Sequence, residues 1–461
     1  MPQDIFGKFK SKKVAVVGAG VANRPLINVL LDCGADVKIY DKKSREEFGG
    51  YAYELESRGA ELFTGNDYLD NLEGDIIFKT PGMRRDSDAF VKAEKLGCVI
   101  SSEMELFFEL CPCPVIAVTG SDGKTTTSTL IWKILTDSGC RCYLGGNIGN
   151  SLIGELENIQ KSDKVVLELS SFQLFDLSVS PHIGAVTNIT PNHLDWHKSM
   201  NEYTDTKKKI YRYQNNNDIA VLNFDNPLTR SFAPSCPGEV RFFSLNGNVD
   251  NGVFLNKRGY IMHSSGSYLL DAKDIKIKGV HNIANYMTAS ACVWGLAKSD
   301  NIENVARTFR GVEHRMEYVD TVNGVDYYND SIASSPTRTI AGLMTFEKPV
   351  VLIAGGYDKN IPYEPLAPYI LKYVKYLILT GQTAEKIKNS VVGNKDYSSD
   401  KLTIEIVDDL EQALYAACKN SEPGDSVVLS PASASFDKFV NFEERGRFFK
   451  RLVSEIKLKE Y

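Results

Sequence analysis

The sequence predicts an α/β protein built from three consecutive units. The prediction rests on chain length, on short apolar runs alternating with helix-like segments, and on polar clusters placed where the apolar runs end. A chain of 461 residues is too long for a single core and corresponds to about three domains. The runs KVAVVG (13–18), VIAVT (115–119) and VVLI (350–353) are buried-strand patterns, and their alternation with helical stretches predicts parallel sheets. In such sheets ligands gather at the carboxyl ends of strands. The expected units are a Rossmann-like one over 1–102, a central P-loop-type one with a mainly parallel sheet over 103–311, and a C-terminal Rossmann-like α/β unit over 312–461.

In the first unit, strands are predicted at Lys13–Gly18, Asp36–Tyr40, Asp75–Phe78 and Cys98–Ile100, with a helix through Pro25–Leu31. Gly18-Ala19-Gly20 begins a dinucleotide fingerprint, but Asn23 stands where its third glycine belongs, which disfavours a nicotinamide site. Asp41, closing the second strand, is placed to hold a ribose, and is equally an ordinary loop acid.

The second unit carries VIAVTGSDGKTTTSTLIWKIL (115–135). A strand feeds a glycine turn, and Lys124 with a run of threonines opens a helix. Gly120 and Gly123 let backbone N–H groups turn toward an anion, and the helix N-terminus adds partial positive charge. Ser121, Asp122 and Thr126 complete the turn. Lys124 would reach the β/γ-phosphates and the Thr125 hydroxyl would sit on Mg²⁺. The full P-loop pattern asks for glycine where Val118 stands, so the match is to the shorter TGxxGKTT. This loop points to ATP.

Three further stretches of the second unit end strands in polar residues: GGNIGN (145–150), KVVLELSSFQL (164–174) and GAVTNITPNHLDWH (184–197). Glu168, at the end of an apolar strand, supplies the oxygen ligand that Mg²⁺ prefers, although a surface acid can close a strand as well. His193 follows the strand AVTNIT, and either a metal or phosphate role or a structural one suits it. Lys207 lies on a helix one turn from Tyr203 and from Tyr211. Nothing in the pattern separates it from Lys208 or Lys209, and a solvated lysine is the ordinary reading.

Strands of the third unit are predicted at Val350–Ile353, Tyr376–Leu379 and Ser426–Leu429. Arg315 opens the unit, Asp330 follows a strand-like VDYYN, Lys359 follows a Gly-Gly turn, and Ser435 and Phe442 lie beyond the last strand. Cations in such places suit a carboxylate or phosphate substrate.

Composition excludes several classes. Hydrophobic content of 43% and charged content of 24% are ordinary for a globular protein. A net charge of −6 gives no footprint for nucleic acid. The nine cysteines include Cys111/Cys113 and Cys140/Cys142, which are CxC and lack the CxxC spacing of zinc or redox sites. They read as reduced thiols. MPQDIFGKFKSKK is not followed by the apolar h-region of a signal peptide and no 18-residue apolar stretch occurs, so a cytoplasmic monomer without membrane insertion is expected.

Taken together, TGSDGKTTT, GGNIG, LELSSFQL, NITPNHLDWH, GVHNIANYMTA (279–289), GVEHR (311–315) and NDSIASSPT (329–337) resemble the Mur ligase family, in the same order and over nearly the whole chain. LSPASASFDKFVNFEERG (429–446) resembles the signature of the D-glutamate-adding branch. The resemblance implies a UDP-sugar domain, a central ATPase domain and a C-terminal domain that docks the amino acid. It implies ATP-driven amide formation between UDP-N-acetylmuramoyl-L-alanine and D-glutamate through an acyl phosphate, in peptidoglycan precursor synthesis. ATP and two Mg²⁺ sites are implied.

By position, the resemblance gives Thr125, Glu168 and His193 metal roles and makes Lys207 the family lysine that is carbamylated into an anionic metal ligand. Asn147 and Ser170, with Asp41, fall to the UDP-sugar, and Asn282, Asn285, Arg315 and Asp330 to ATP. Ser334, Lys359, Ser435 and the Phe442 backbone fall to D-glutamate. Two departures stand out. Many members have a lysine where Ile332 lies, for which Arg338 is one possible substitute, and GAGVANR (18–24) differs from the common N-terminal pattern. The alternatives are a sister ligase with another amino acid, a folylpolyglutamate synthetase-like enzyme, or a nucleotide-gated binding protein that has lost catalysis.

Overall fold

Three sheets organise the chain in a computed structural model, which describes residues 5–20, 22–149, 151–194, 196–277, 279–359 and 361–459. The first is a parallel five-stranded sheet in the order Glu61–Thr64, Asp36–Asp41, Lys13–Val17, Ile76–Lys79 and Val99–Ser101. Its strands alternate with helices such as Arg24–Asp32 and Asp88–Lys95, the Rossmann-like winding expected of the apolar runs. The second sheet has nine strands. Its parallel part runs Gly252–Leu255, Glu239–Ser244, Ile219–Asn223, Ile183–Val186, Val115–Thr119, Lys164–Glu168 and Cys142–Gly146. Two antiparallel strands, Tyr260–His263 and Tyr268–Asp271, extend it at one end.

The third sheet has six strands, ordered Glu317–Val322, Val325–Asn329, Ser426–Leu429, Val350–Gly355, Val374–Thr380 and Thr403–Ile406, and only its first pair is antiparallel. By compactness the chain forms two units. The first runs to Ile275 and includes Val280–Thr308, holding the five- and nine-stranded sheets; the second is Lys276–Gly279 with everything from Phe309 onward.

One hydrophobic cluster serves both sheets of the first unit. It runs from Phe9, Val16 and Ile27 through Leu106, Phe107 and Leu152 to Leu167 and Val186, all essentially buried. Residues of this kind each contribute about 1.5–3 kcal/mol on burial, so the two sheets are fused by their core. The second unit has apolar clusters of its own, one around Leu352, Ile370 and Leu379 and another around Ile353, Leu414 and Phe449. Among the described residues no helix is long and apolar enough to cross a membrane. All nine cysteines are free thiols, with the Cys111 and Cys113 sulfurs 3.8 Å apart.

Where the two sheets of the first unit meet, Lys79 closes the strand Ile76–Lys79 and forms an ion pair with Asp176, the last residue of the helix Ser171–Asp176. Both side chains are buried, and Lys79 Nζ also donates to the Met83 carbonyl at 2.7 Å. Burial pushes the Lys79 ammonium down and the Asp176 carboxyl up from their ordinary ranges. Each therefore depends on the other for its charge, and loss of one partner leaves an uncompensated buried ion. Lys79→Ala is expected to cost about 3–5 kcal/mol, read as a lower urea midpoint for the first unit. Lys79→Met combined with Asp176→Leu should recover most of that loss.

Candidate active site

The turn Gly120–Gly123 leaves the strand Val115–Thr119 and enters the helix Lys124–Asp137. Gly120 has φ +146° and Gly123 φ +77°. A Cβ at Gly120 would lie 2.0 Å from Thr187 Oγ1, and one at Gly123 would lie 2.3 Å from Asn285 Oδ1. Both positions therefore demand glycine, for space as well as for backbone angle. The turn is pinned from the neighbouring strand end. Ser121 N–H donates to the Asn188 carbonyl at 2.9 Å, Asp122 N–H to Asn188 Oδ1 at 2.9 Å, and Ser121 Oγ lies 3.0 Å from the Tyr203 hydroxyl.

Lys124 donates to the Gly120 and Ser121 carbonyls at 3.1 and 2.8 Å. The next residue, Thr125, is buried and its hydroxyl donates to Glu168 Oε2 at 2.7 Å. Asn147 Nδ2 donates to the other oxygen, Oε1, at 2.8 Å. Glu168 is 1% exposed, so a carboxylate is buried with two neutral donors on its oxygens. Thr126 lies half-buried in the same helical turn. From the helix Val280–Val293, Asn285 Oδ1 accepts from Thr127 Oγ1 at 3.3 Å, and Asn285 Nδ2 donates to Asn282 Oδ1 at 3.1 Å.

Lys207 is the third charged group of this cluster. It lies on the helix Met200–Arg212, is 1% exposed, and donates to Thr119 Oγ1 at 2.8 Å and to the Gly120 carbonyl at 3.1 Å. Burial drives its ammonium well below the ordinary lysine range and the nearby Lys124 lowers it further, against a smaller opposing pull from Glu168. Its neighbours behave differently: Lys208 pairs with Asp205 at 2.9 Å and Lys209 caps the Phe175 carbonyl at 2.6 Å. The structure thus separates the three lysines that the sequence leaves equivalent, and Lys207 is the one on the phosphate loop.

His193 lies in the exposed loop after the strand Ile183–Val186, with φ +54° and its ring 4.9 Å from that of Phe172. Phe172 belongs to the short helix whose N-cap is Ser170, which accepts from Gln173 N–H in a capping box. Asp41 lies elsewhere, at the carboxyl end of the inner strand Asp36–Asp41 of the five-stranded sheet, where its carboxylate accepts from the Ala19 and Lys43 N–H groups at 2.8 and 3.0 Å. Asn23, in the place of a fingerprint glycine, is buried and donates to the Gly18 carbonyl at 2.8 Å. Among the described residues no three His, Cys, Asp or Glu side chains are grouped so as to hold a metal.

In the second unit, Asp330 is buried at the end of the strand Val325–Asn329. It accepts from Ser430 Oγ at 2.7 Å and from Met316 N–H at 3.2 Å. Burial raises its carboxyl to about 7, against the pull of its hydrogen bonds and of Arg315 and Arg338. Arg338 donates to the Ile332 carbonyl at 3.1 Å, which places a guanidinium on the turn where the sequence lacks a lysine. Ser334 is half-buried in that turn. Lys359 is exposed beyond the strand Val350–Gly355. Ser435 is buried, and the Phe442 carbonyl accepts from Ser331 Oγ at 2.8 Å.

Two family models match the chain: the Mur ligase middle domain over residues 118–293, and the Mur ligase glutamate ligase domain over 314–433. The UDP-N-acetylmuramoylalanine–D-glutamate ligase of Clostridium botulinum strain Hall is 50% identical over 456 residues, covering 98% of this chain and 99% of that protein. The chain belongs to the Mur ligase family. The enzyme of the same name from Acetivibrio thermocellus is 49% identical over 98% of both chains. Among solved structures, the UDP-N-acetylmuramate–alanine ligase of Thermotoga maritima superposes with a TM-score of 0.59 at 19% identity, over 97% of this chain and all of that one. The MurF ligase of T. maritima, solved with ADP, gives 0.54 at 17% identity over 98% of this chain and 97% of that one. These structures share the ligase fold. As a Mur ligase the protein is an ATP-dependent ligase.

Sequence reasoning missed several groups that shape this ligase's site. Thr119, Thr187 and Asn188 fall inside the quoted motifs, but as uncharged residues at strand ends they carry no signal that singles them out. Arg445 is 4% exposed and donates to Ser331 Oγ and to the carbonyls of Ser331, Ser433 and Ala434 at 2.9–3.1 Å. Burial lowers it to about 10, so it remains a cation at neutral pH. Only its place inside FEERG marked it.

Asp330 has a testable pH signature. Its carboxyl titrates near 7 in the folded chain and near 4 when unfolded. Stability is therefore highest with the acid protonated in both states, declines as pH rises from about 4 to 7, and stays low above that. Asp330→Asn removes this slope. Denaturant midpoints of the variant minus those of the wild type should rise from pH 4 to pH 7 and then level off. A difference that is flat across this range would contradict the assignment.

Proposed function

We propose that this ligase joins D-glutamate to UDP-N-acetylmuramoyl-L-alanine with consumption of ATP, through an acyl phosphate, in the cytoplasmic synthesis of peptidoglycan precursors. The observation that carries the chemistry is the hydrogen-bonded set Lys124, Thr125, Glu168 and Lys207 around the glycine turn. The choice of amino acid rests on half of all residues being shared, end to end, with D-glutamate ligases. The functional domains are taken as 1–102 for the UDP-sugar, 103–311 for ATP and 312–461 for the amino acid.

The residues present fit Mg²⁺. Thr125 and the buried Glu168 are oxygen donors in mutual contact, and a hard cation suits a buried carboxylate whose hydrogen bonds come from neutral groups. Bound there, Mg²⁺ offsets the repulsion between a carboxylate nucleophile and a triphosphate. The loop N–H groups and the helix N-terminus cradle the phosphates, and Lys124 turns from its carbonyl partners to the transferring phosphoryl group. Asn282 and Asn285, with Arg315 and Asp330, contact ATP.

Lys207, its proton disfavoured by burial and by Lys124, presents the neutral amine that reacts with carbon dioxide. The resulting carbamate would place an anion beside Lys124 and, with His193, would supply ligands for a second Mg²⁺. Asn147, Ser170 and Asp41 serve the UDP-sugar. Lys359 pairs with one D-glutamate carboxylate, while Ser435 and the Phe442 N–H take the other, with Ser334 beside them.

The deciding assay is phosphate release with ATP, Mg²⁺ and UDP-N-acetylmuramoyl-L-alanine, offered D-glutamate, L-glutamate, L-lysine, meso-diaminopimelate or D-alanyl-D-alanine. Release with D-glutamate alone is expected; release with another amino acid would move the assignment to a sister ligase. Lys124→Ala should lower kcat by roughly 100-fold or more. Lys207→Arg, which places a cation there and cannot form a carbamate, should lose activity to a similar extent. Wild-type activity should fall in bicarbonate-free buffer and return when bicarbonate is restored. Full activity of Lys207→Arg would refute the carbamate.

A further inference from the structure

The loop carrying His193 is held from outside the ATP cluster. Arg84 follows the strand Ile76–Lys79 of the five-stranded sheet, and its two terminal nitrogens grip Glu202. NH1 donates to Oε2 at 3.0 Å and NH2 to Oε1 at 2.9 Å. NH1 also donates to the Trp196 carbonyl at 3.2 Å, and the guanidinium lies 4.8 Å from the Phe175 ring centroid and 4.9 Å from that of Trp196. Trp196 answers by donating its indole N–H to the Gly82 carbonyl at 2.9 Å. Glu202 is tied in turn to Lys198 N–H at 2.8 Å, and Arg84 holds its carboxyl down at about 2.

This clamp meets His193 through one turn of backbone. The His193 carbonyl accepts from Trp196 N–H at 3.1 Å and from His197 N–H at 2.9 Å. The His197 ring is fully buried among Phe172, Phe175, Trp196 and Tyr203, with its Nδ1 3.5 Å from Glu202 Oε2. His193 itself is in the left-handed region, which a non-glycine residue keeps only where its surroundings over-determine it. Ring packing and the Arg84 fork supply that determination.

We infer that Arg84 is a positioning residue for the ligase reaction: acting through Trp196 and Glu202, it fixes the His193 loop from the sheet on which the UDP-sugar is proposed to bind. The inference rests on the role proposed above for His193. A planar fork stacked on aromatic rings cannot be reproduced by an ammonium, so Arg84→Lys separates geometry from charge, and Arg84→Met removes both.

The test combines hydrogen exchange on the full-length chain with steady-state kinetics. In both variants the Trp196 and His197 amides should exchange roughly tenfold faster or more, with the strand Val115–Thr119 unchanged. In the same variants kcat should fall roughly 10- to 100-fold while KM for D-glutamate stays within about twofold. Unchanged exchange at those amides, or faster exchange with kcat intact, overturns the inference. So does loss of protection throughout Val115–Thr119, which would make Arg84 a support for the whole unit. A wild-type chain that releases no phosphate with D-glutamate refutes the assigned reaction, whereas an active wild type with unaffected variants refutes the role of Arg84 alone.

Discussion

One carbonyl oxygen organises the ATP end of this ligase. The Gly120 carbonyl accepts from both Lys124 and Lys207, each at 3.1 Å, so two ammonium groups converge on a single neutral acceptor. In bulk water that arrangement would be mildly unfavourable; with Lys207 buried it becomes a strong bias, because both desolvation and like charge disfavour the second proton. Gly120 itself has no room for a side chain, since a Cβ there would lie 2.0 Å from Thr187 Oγ1. The same glycine thus sets the turn and offers the carbonyl on which both lysines converge.

The opposite charge is handled with the same economy. Glu168 is the last residue of a strand lying directly beside Val115–Thr119, so the register of a parallel sheet delivers its carboxylate to the first turn of the following helix. Thr125 and Asn147 donate to the two oxygens separately, which holds the carboxylate aimed at that turn. Burying a carboxylate is costly unless its oxygens are hydrogen-bonded or paired, and here neutral donors meet both oxygens. In the function proposed above, a divalent cation and a triphosphate would meet at this turn, and the aimed carboxylate would be a ligand for that cation.

Backbone-driven features were legible in the sequence. Strands at 13–17, 36–41, 115–119, 350–355 and 426–429 announce themselves as apolar runs before glycine or a polar turn, and the phosphate loop carries its own spacing. What stayed hidden depends on tertiary approach. Lys207, Lys208 and Lys209 differ in which side of one helix meets the strand Val115–Thr119, and a triple-lysine string does not encode that. The strand Glu61–Thr64 is short and half-buried, and the strands from 219 to 271 carry no motif. Asp41 reads in the sequence as a ribose-holding or a loop acid, and of its bonds to the Ala19 and Lys43 N–H groups the first depends on a turn 22 residues away. Arg84 escaped notice because its partners Trp196 and Glu202 are more than a hundred residues away, and each looks ordinary alone.

Arg445 shows how a cation can serve a site without meeting a substrate. Its acceptors come from two motifs that lie a hundred residues apart, Ser331 of NDS and the Ser433–Ala434 carbonyls of SPASAS. Those carbonyls belong to a turn that closes by its own bonds, with Phe439 N–H donating to the Ser435 carbonyl at 2.9 Å. A neutral linker could not satisfy four acceptors from one side chain, and an ammonium lacks the fork that spans them. Gly356 is pressed against the same group, with its absent Cβ only 2.3 Å from the Ala434 carbonyl and 3.1 Å from Arg445. Asp330, Ser435 and the start of the Phe442 helix are thus parts of one rigid piece, locked by a guanidinium that spends its hydrogen bonds on backbone. The proposed D-glutamate residues Ser435 and Phe442 owe their relative placement to it, while exposed Lys359 stands outside this lock and remains able to follow a ligand.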